Sequence, residues 1–281
     1  VISHALFFGL GGGVKPTGVH LTGGLYFGFM ATVIGCVFFH ELGHLSACER
    51  YGARHGEAGI GFFLIWPVAY ADVTDCWSLK RYQRAVVDAG GIYFHSICSS
   101  ICCWLWIATG HPLWWAAVYS VMGSTIVNIN PFVRFDGYWF LTDVTGIPSL
   151  HRSMREAGEY YLGRVRGAST QRKPEILDTR PIVVALFLAY CVGTVIFVLY
   201  LMLRVSRFLP RAIEQIPGQL IKLWDLAHVG ELGWEFWKLA LATAAVCLTV
   251  YSLSNMLWRR LSGFAKRAVR IVRAPAKSRS D

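Results

Sequence analysis

Charge is what this sequence has least of. Only 16% of its 281 residues are Asp, Glu, Lys or Arg, whereas soluble domains carry about 25%. Acidic side chains are the scarcer kind, 17 against 27 basic ones, which leaves a net charge of +10. Such a shortfall argues against an ordinary soluble surface. The excess of basic charge has two common origins, a nucleic-acid footprint or cytoplasmic loops beside a membrane, and its distribution decides between them. Other features are missing too. There is no internal repeat, no low-complexity tract and no C-x-x-C pair. The apolar residues 1–13 lack the basic start and small-residue cleavage site of a signal peptide. The first residue is Val, not Met, which is consistent with an upstream segment.

What is present in place of charge is length without it. Uncharged runs cover residues 21–39, 89–133, 181–203 and 239–258, which are 19, 45, 23 and 20 residues long. About 20 apolar residues cross a bilayer as a helix, so every run is long enough to span. The 45-residue run divides at Gly110-His111-Pro112, where a Gly and a Pro can turn the chain. The expectation is an all-α polytopic membrane protein with about five transmembrane helices. No packed globular core needs five uncharged blocks of this length, so a soluble nucleic-acid binder is excluded.

Five spans place alternate linkers on opposite faces. Residues 49–84, 131–180 and 258–281 carry 21 Lys and Arg, against five in residues 1–20, the turn at 110 and residues 204–233. Positive charge is retained on the cytoplasmic side, which predicts a cytoplasmic C-terminus and an extracytoplasmic segment 1–20. Residues 58–71 form an uncharged stretch of 14 interrupted by Pro67. It is too short to span and reads as a short membrane-embedded hairpin. After Trp258, apolar Leu261, Phe264, Ala268 and Val272 alternate with Arg259, Arg260, Lys266, Arg267, Arg270 and Arg273. This spacing fits a basic amphipathic helix over 259–281 lying on anionic lipid; a disordered basic tail is the plainer reading. The eight cysteines lie within or beside the spans and read as small packing residues, not a disulfide framework.

The first uncharged run ends in His40-Glu41-Leu42-Gly43-His44, the H-E-x-x-H pattern. Positions i and i+4 share a helix face, so both imidazoles can reach one zinc while the Glu between them approaches the water it activates. Two His and a Glu at the end of an apolar span are costly to bury without a partner or a task. A catalytic zinc generally takes three protein ligands. Glu49, Glu57, Asp72, Asp75, Asp88, Asp136 and Asp143 are the carboxylates on the same face. Asp136 stands out, because it follows the helix-breaking Asn128-Ile129-Asn130-Pro131 and precedes Gly137 at the cytoplasmic end of the third span.

Together with Asn128-Ile129-Asn130-Pro131-Phe132-Val133-Arg134-Phe135-Asp136-Gly137, the first motif resembles the site-2 protease family of intramembrane zinc metalloproteases. That family's second motif runs N-x-x-P and then L-D-G, with Phe135 here replacing the Leu. Residues 70–77 (YADVTDCW), Ala89-Gly90-Gly91-Ile92-Tyr93-Phe94 and Asp136-Gly137-Tyr138-Trp139 are more narrowly similar to its bacterial peptide zinc metalloprotease branch. The resemblance covers roughly residues 21–150. It implies a three-helix metalloprotease core over 21–147, with Zn2+ held by His40, His44 and Asp136 and with Glu41 as general base. It also implies a peptide or transmembrane protein substrate, a role in peptide maturation or export with an exporter or membrane-fusion partner, and a home in the bacterial inner membrane. Asn128 matches the family's Asn, a candidate for holding the substrate strand or oxyanion, or else only a cap on the broken helix.

The sequence departs from the family in the second span. A G-P-x-x-N-like element is common there, whereas Gly90-Gly91-Ile92-Tyr93-Phe94-His95 offers no Asn. His95 is either a support for the site or a structural core residue. Asp72 and Asp75 are either acids near the metal or solvated ends of the hairpin. Cys36 shares the helical face of His40 and reads as packing. Beyond the core, residues 148–180 read as a cytoplasmic loop and 181–258 as two spans with an extracytoplasmic linker. Two alternative functions stand beside peptide processing: regulated proteolysis of a transmembrane regulator, and a non-enzymatic scaffold or transporter subunit.

Overall fold

In the computed structural model, residues 1–14, 16, 23–54, 56–63, 66–165, 173–229, 233, 235–252 and 255 are described. The uncharged runs become long helices, as they must wherever backbone groups cannot reach water and have to pair within their own segment. α1 (Ile2–Phe7) continues into a wide π-helical turn at Phe8–Gly12, and α2 covers Gly23–Arg50. Strands β1 (Ala58–Phe63) and β2 (Trp66–Ala71) pair as a two-stranded sheet. A short 3-10 turn, Thr74–Ser78, precedes α3 (Arg81–Thr109). α4 (Pro112–Ile129), α5 (Asp136–Thr145), α6 (Leu150–Val165) and α7 (Pro181–His228) follow, with a second 3-10 turn at Glu175–Asp178. Residues 235–252 are again helical.

Three of these helices, α2, α3 and α7, are long and apolar enough to cross a membrane. α4 has 18 residues and lies below that mark. The chain is thus mostly helical, with the expected hairpin at 58–71 as its β element among the described residues. The expected linker at 204–233 is a different matter. α7 runs unbroken for 48 residues through Pro210 and Pro217, so most of that linker is helix. Loss of hydrophobicity marks where a helix leaves lipid, but Arg, Lys and Gln favour helix about as well as Leu does, and the helix continues although Pro210 and Pro217 each remove a hydrogen bond from it. The expected amphipathic tail over 259–281 lies outside the described residues.

The chain divides into two units. Residues 201–281 and 62–66 form one; within it Thr243 Oγ1 donates to Gln219 Oε1 across 3.1 Å. The other, residues 1–61 and 67–200, holds everything that follows. Its N-terminal segment is not a loose tail: Phe7 is fully buried against Cys102, Cys103, Ala117 and Val118, and His4 Nε2 lies 2.8 Å from Ser99 Oγ. Cys102 and Cys103 therefore pack as expected.

Two contacts set the position of α5. α2 and α3 meet at Gly43 and Gly90, where a Cβ on either would strike the other's backbone. α3 then grips the far end of α5. The Arg84 guanidinium forks onto the Asp143 carboxylate, with Nη2 to Oδ1 at 2.6 Å and Nε to Oδ1 at 2.9 Å. Arg81 donates to the Asp143 and Val144 carbonyls at 3.1 and 3.0 Å, satisfying acceptors that a helix C-terminus leaves open. The Arg84 and Asp143 side chains are only 17% and 8% exposed. Arg84→Met, which strands a buried carboxylate, is expected to cost about 3 kcal/mol. Thermal unfolding in detergent should show a lowered midpoint; an unchanged one would mean the pair contributes nothing.

Candidate metal centre

The helical repeat of α2 brings His40 and His44 onto one face, where they are 5% and 8% exposed. The third group arrives from the other end of the core. α4 stops at Ile129, where Pro131 cannot continue the hydrogen bonding. Asn130 Oδ1 accepts the Phe132 N–H at 2.8 Å, closing a side-chain turn. Gly137 then lies so close to the Ile129 carbonyl that no Cβ would fit. The first turn of α5 is thereby pressed against the last turn of α4, and Asp136 faces α2.

His40, His44 and Asp136 form a group that could hold a metal ion, their ligand atoms lying within 4.8 Å of one another. His40 Nε2 is 3.0 Å from Asp136 Oδ2, His44 Nε2 is 3.5 Å from Asp136 Oδ1, and the two Nε2 atoms are 3.2 Å apart. Bonds of about 2.0–2.1 Å to a tetrahedral ion put its ligand atoms roughly 3.3 Å apart, so the spacing suits such an ion. The donor chemistry suits it as well. His44 Nδ1–H donates to the Val87 carbonyl at 2.8 Å, which leaves Nε2 with its lone pair toward the group. Asp136 Oδ2 is buried without a hydrogen-bond donor of acceptable geometry among the described residues, despite the nearness of His40. Acceptors converging in this way could hold a cation between them.

The back wall is Gly91. A Cβ there would fall 2.5 Å from both His40 Nε2 and His44 Nε2, and overpacking of this kind typically costs about 1–3 kcal/mol. Gly91→Ala is expected to lower metal affinity while helical content stays near normal, as read by metal titration beside circular dichroism. Full affinity would show that the imidazoles have room to retreat.

Glu41 is half-buried beside the group, with the Ala71 backbone N–H at the end of β2 directed at its carboxylate. His95 also belongs to this neighbourhood. Its ring is buried, 4.2 Å between centroids from that of His40, and its Nδ1 has no partner among the described residues. Asp72 does not join them. It is exposed, and its Oδ1 accepts the Thr74 N–H and hydroxyl at 3.0 and 2.6 Å. Those hydrogen bonds hold its carboxyl below the usual carboxylate range. Its short side chain is spent on the turn after the hairpin, which favours the solvated hairpin end over an acid near the metal among the two readings of Asp72. Asn128 stands half-buried on the last turn of α4, and the turn-closing role considered for it is filled by Asn130. Cys36 meets the thiols of Cys102 and Cys98 and does not join the metal group. Cys76 is buried beside Cys48, and burial pushes its thiol up to about 11.

Sequence reasoning missed the Val87 carbonyl and the back wall at Gly91. Paired glycines inside a long apolar helix were the available signal for the second. It also passed over Asp88, one of whose carboxylate oxygens is buried without a partner among the described residues, with His44, Asp136 and Asp143 as electrostatic neighbours.

Fold and site together define a class: a helical chain of membrane-spanning character with a buried His-His-Asp group fit for a metal ion. Comparison with protein-family models, curated proteins and solved structures finds no match to this chain.

Proposed function

We propose that this protein is an intramembrane zinc metalloprotease that hydrolyses peptide bonds near the cytoplasmic leaflet. The observation that carries the reading is the convergence of His40, His44 and Asp136 at metal-ligand spacing with Glu41 beside them. A scaffold has no need of that base. Two imidazoles and one carboxylate form the donor set of a catalytic zinc, with a position left over for substrate chemistry. Zinc, when bound, supplies the Lewis acid that activates water and polarises a peptide carbonyl.

The chain's own groups do the rest. Glu41 takes a proton from the attacking water and passes it to the departing amine, so that the C–N bond gives way to a carboxyl and an amine. Val87 fixes the His44 tautomer, and Gly91 leaves room for both rings. We place five helices across the bilayer. α4 and the helix over 235–252 have 18 residues each, about 27 Å at 1.5 Å per residue, close to the roughly 30 Å hydrocarbon thickness. The 21 to 5 division of basic residues then supports a cytoplasmic C-terminus, and the motif resemblance favours a bacterial inner membrane.

A helical substrate hides its carbonyls and must unwind. The β1–β2 hairpin, whose far end meets Glu41 through Ala71, offers an edge on which an extended strand can pair. Disrupting residues 58–71 is expected to abolish cleavage of a helical membrane substrate and to spare an already extended peptide; unchanged activity on both would sink the unwinding role. The narrower motif resemblance favours a small peptide precursor as substrate. Exporter or precursor genes beside this one would support that reading, and an anti-sigma factor would favour a transmembrane regulator. The reading as a whole is tested by metal analysis of the detergent-purified chain, in which near-stoichiometric zinc is expected and its complete absence overturns it.

A further inference from the structure

Of the three groups at the centre, Asp136 alone does not ride on α2, so its position depends on whatever fixes the non-helical residues 131–135 and the first turn of α5. Both are held from α6. His151 Nε2 lies 3.3 Å from the Phe132 carbonyl, which accepts its N–H. The same imidazole stacks on Tyr138, with 4.7 Å between ring centroids and 24° between planes. Tyr138 is 1% exposed and its hydroxyl lies 3.5 Å from the His151 backbone N–H. One side chain therefore grips the chain on both sides of Asp136.

α7 braces the other face of the same turn. The Phe132 ring stacks on Phe197 at 5.3 Å and 28°. It also fits over Gly193, where a Cβ would come within 2.9 Å of it. The carbonyl of Phe132 then has a fixed direction, and among the described residues a single donor, His151, reaches it from outside the α2–α5 core.

We propose that His151 is a positioning residue for Asp136: its hydrogen bond to the Phe132 carbonyl, braced by Tyr138, holds the carboxylate at ligand distance from His40 and His44. α6 then belongs to the catalytic unit, although it lies in the segment expected to be a cytoplasmic loop. The inference rests on the metal reading above. Its physical basis is that partners behind a ligand orient it, and their loss typically lowers metal affinity about 10–100-fold.

The stack and the hydrogen bond can be separated. His151→Phe keeps an aromatic ring against Tyr138 and removes the donor, whereas His151→Gln keeps an N–H donor of similar reach. The readout is zinc affinity in detergent, measured by competition with a chelator of known affinity, beside helical content and the unfolding midpoint of the metal-free chain. His151→Phe is expected to bind zinc about 10-fold or more weakly with its metal-free midpoint unchanged, and His151→Gln to recover most of the affinity. Should the Phe variant not be recovered folded, His151→Leu takes its place. Wild-type affinity in the donorless variant, or a Gln variant as weak as it, overturns this inference alone. A wild-type chain that binds no zinc overturns the metal reading, and this inference with it.

Discussion

Asp136→Ala is expected to leave the purified chain without zinc while the wild type retains it. The carboxylate is the only anionic member of the group, and its two oxygens face the two imidazoles at 3.0 and 3.5 Å. Without it, two imidazole nitrogens on one helix face remain, and no other acid joins the group at ligand distance among the described residues. The affinity loss should exceed the roughly 10–100-fold that partners behind a ligand cost, because a bond to the metal itself is gone. Elemental analysis of zinc per chain measures this directly. Asp72→Ala is the matched control and should keep its zinc, since that carboxylate is occupied by Thr74. If Asp136→Ala held as much zinc as the wild type, the metal group would be misassigned.

Glu41→Gln should behave in the opposite way, keeping zinc and losing cleavage. The amide has the shape of the carboxylate, and its oxygen can still accept from the Ala71 N–H, so neither the hairpin end nor the metal ligands need move. What disappears is the capacity to take a proton from water and return it to the amine. Positioned general acid–base groups contribute about 10²–10⁴-fold, so cleavage of a model peptide should fall by at least that much at unchanged zinc content. A Gln variant with wild-type turnover would remove Glu41 from the chemistry. Zinc lost along with activity would instead assign it a structural part in the centre.

How much of this was legible beforehand depends on the range of the interaction involved. The pairing of His40 with His44 needs only the helical repeat, and the hairpin at 58–71 needs only a run too short to span with Pro67 inside it. The break at Asn128-Ile129-Asn130-Pro131 was legible for the same reason, although the side chain that closes the turn proved to be Asn130. Asp136 was singled out by its neighbours in sequence, and the fold brings it to the histidines. The continuation of α7 to His228 was not legible, because charge marks the end of an apolar surface and not the end of a helix.

The supports of the centre were not legible in this way. The Val87 carbonyl carries no side-chain signature, since every residue has a carbonyl, and its use for His44 follows only from how α3 lies along α2. His151 sits among polar neighbours in an expected loop, and nothing local tells that its ring will lie on Tyr138. Arg84 and Asp143 read as two unrelated charges until α3 and α5 are packed.

By itself the sequence determined the long apolar stretches and the shared face of His40 and His44, because hydrophobic length and helical period are properties of short contiguous stretches. Only the tertiary structure decided that Asp136, rather than Asp72 or Asp88, joins the two histidines, and that Val87 and Gly91 lie against their rings. Those choices depend on close approach between segments far apart in the chain, where backbone contact at Gly43 and Gly90 and the packing of α5 against α4 fix positions that no local pattern encodes.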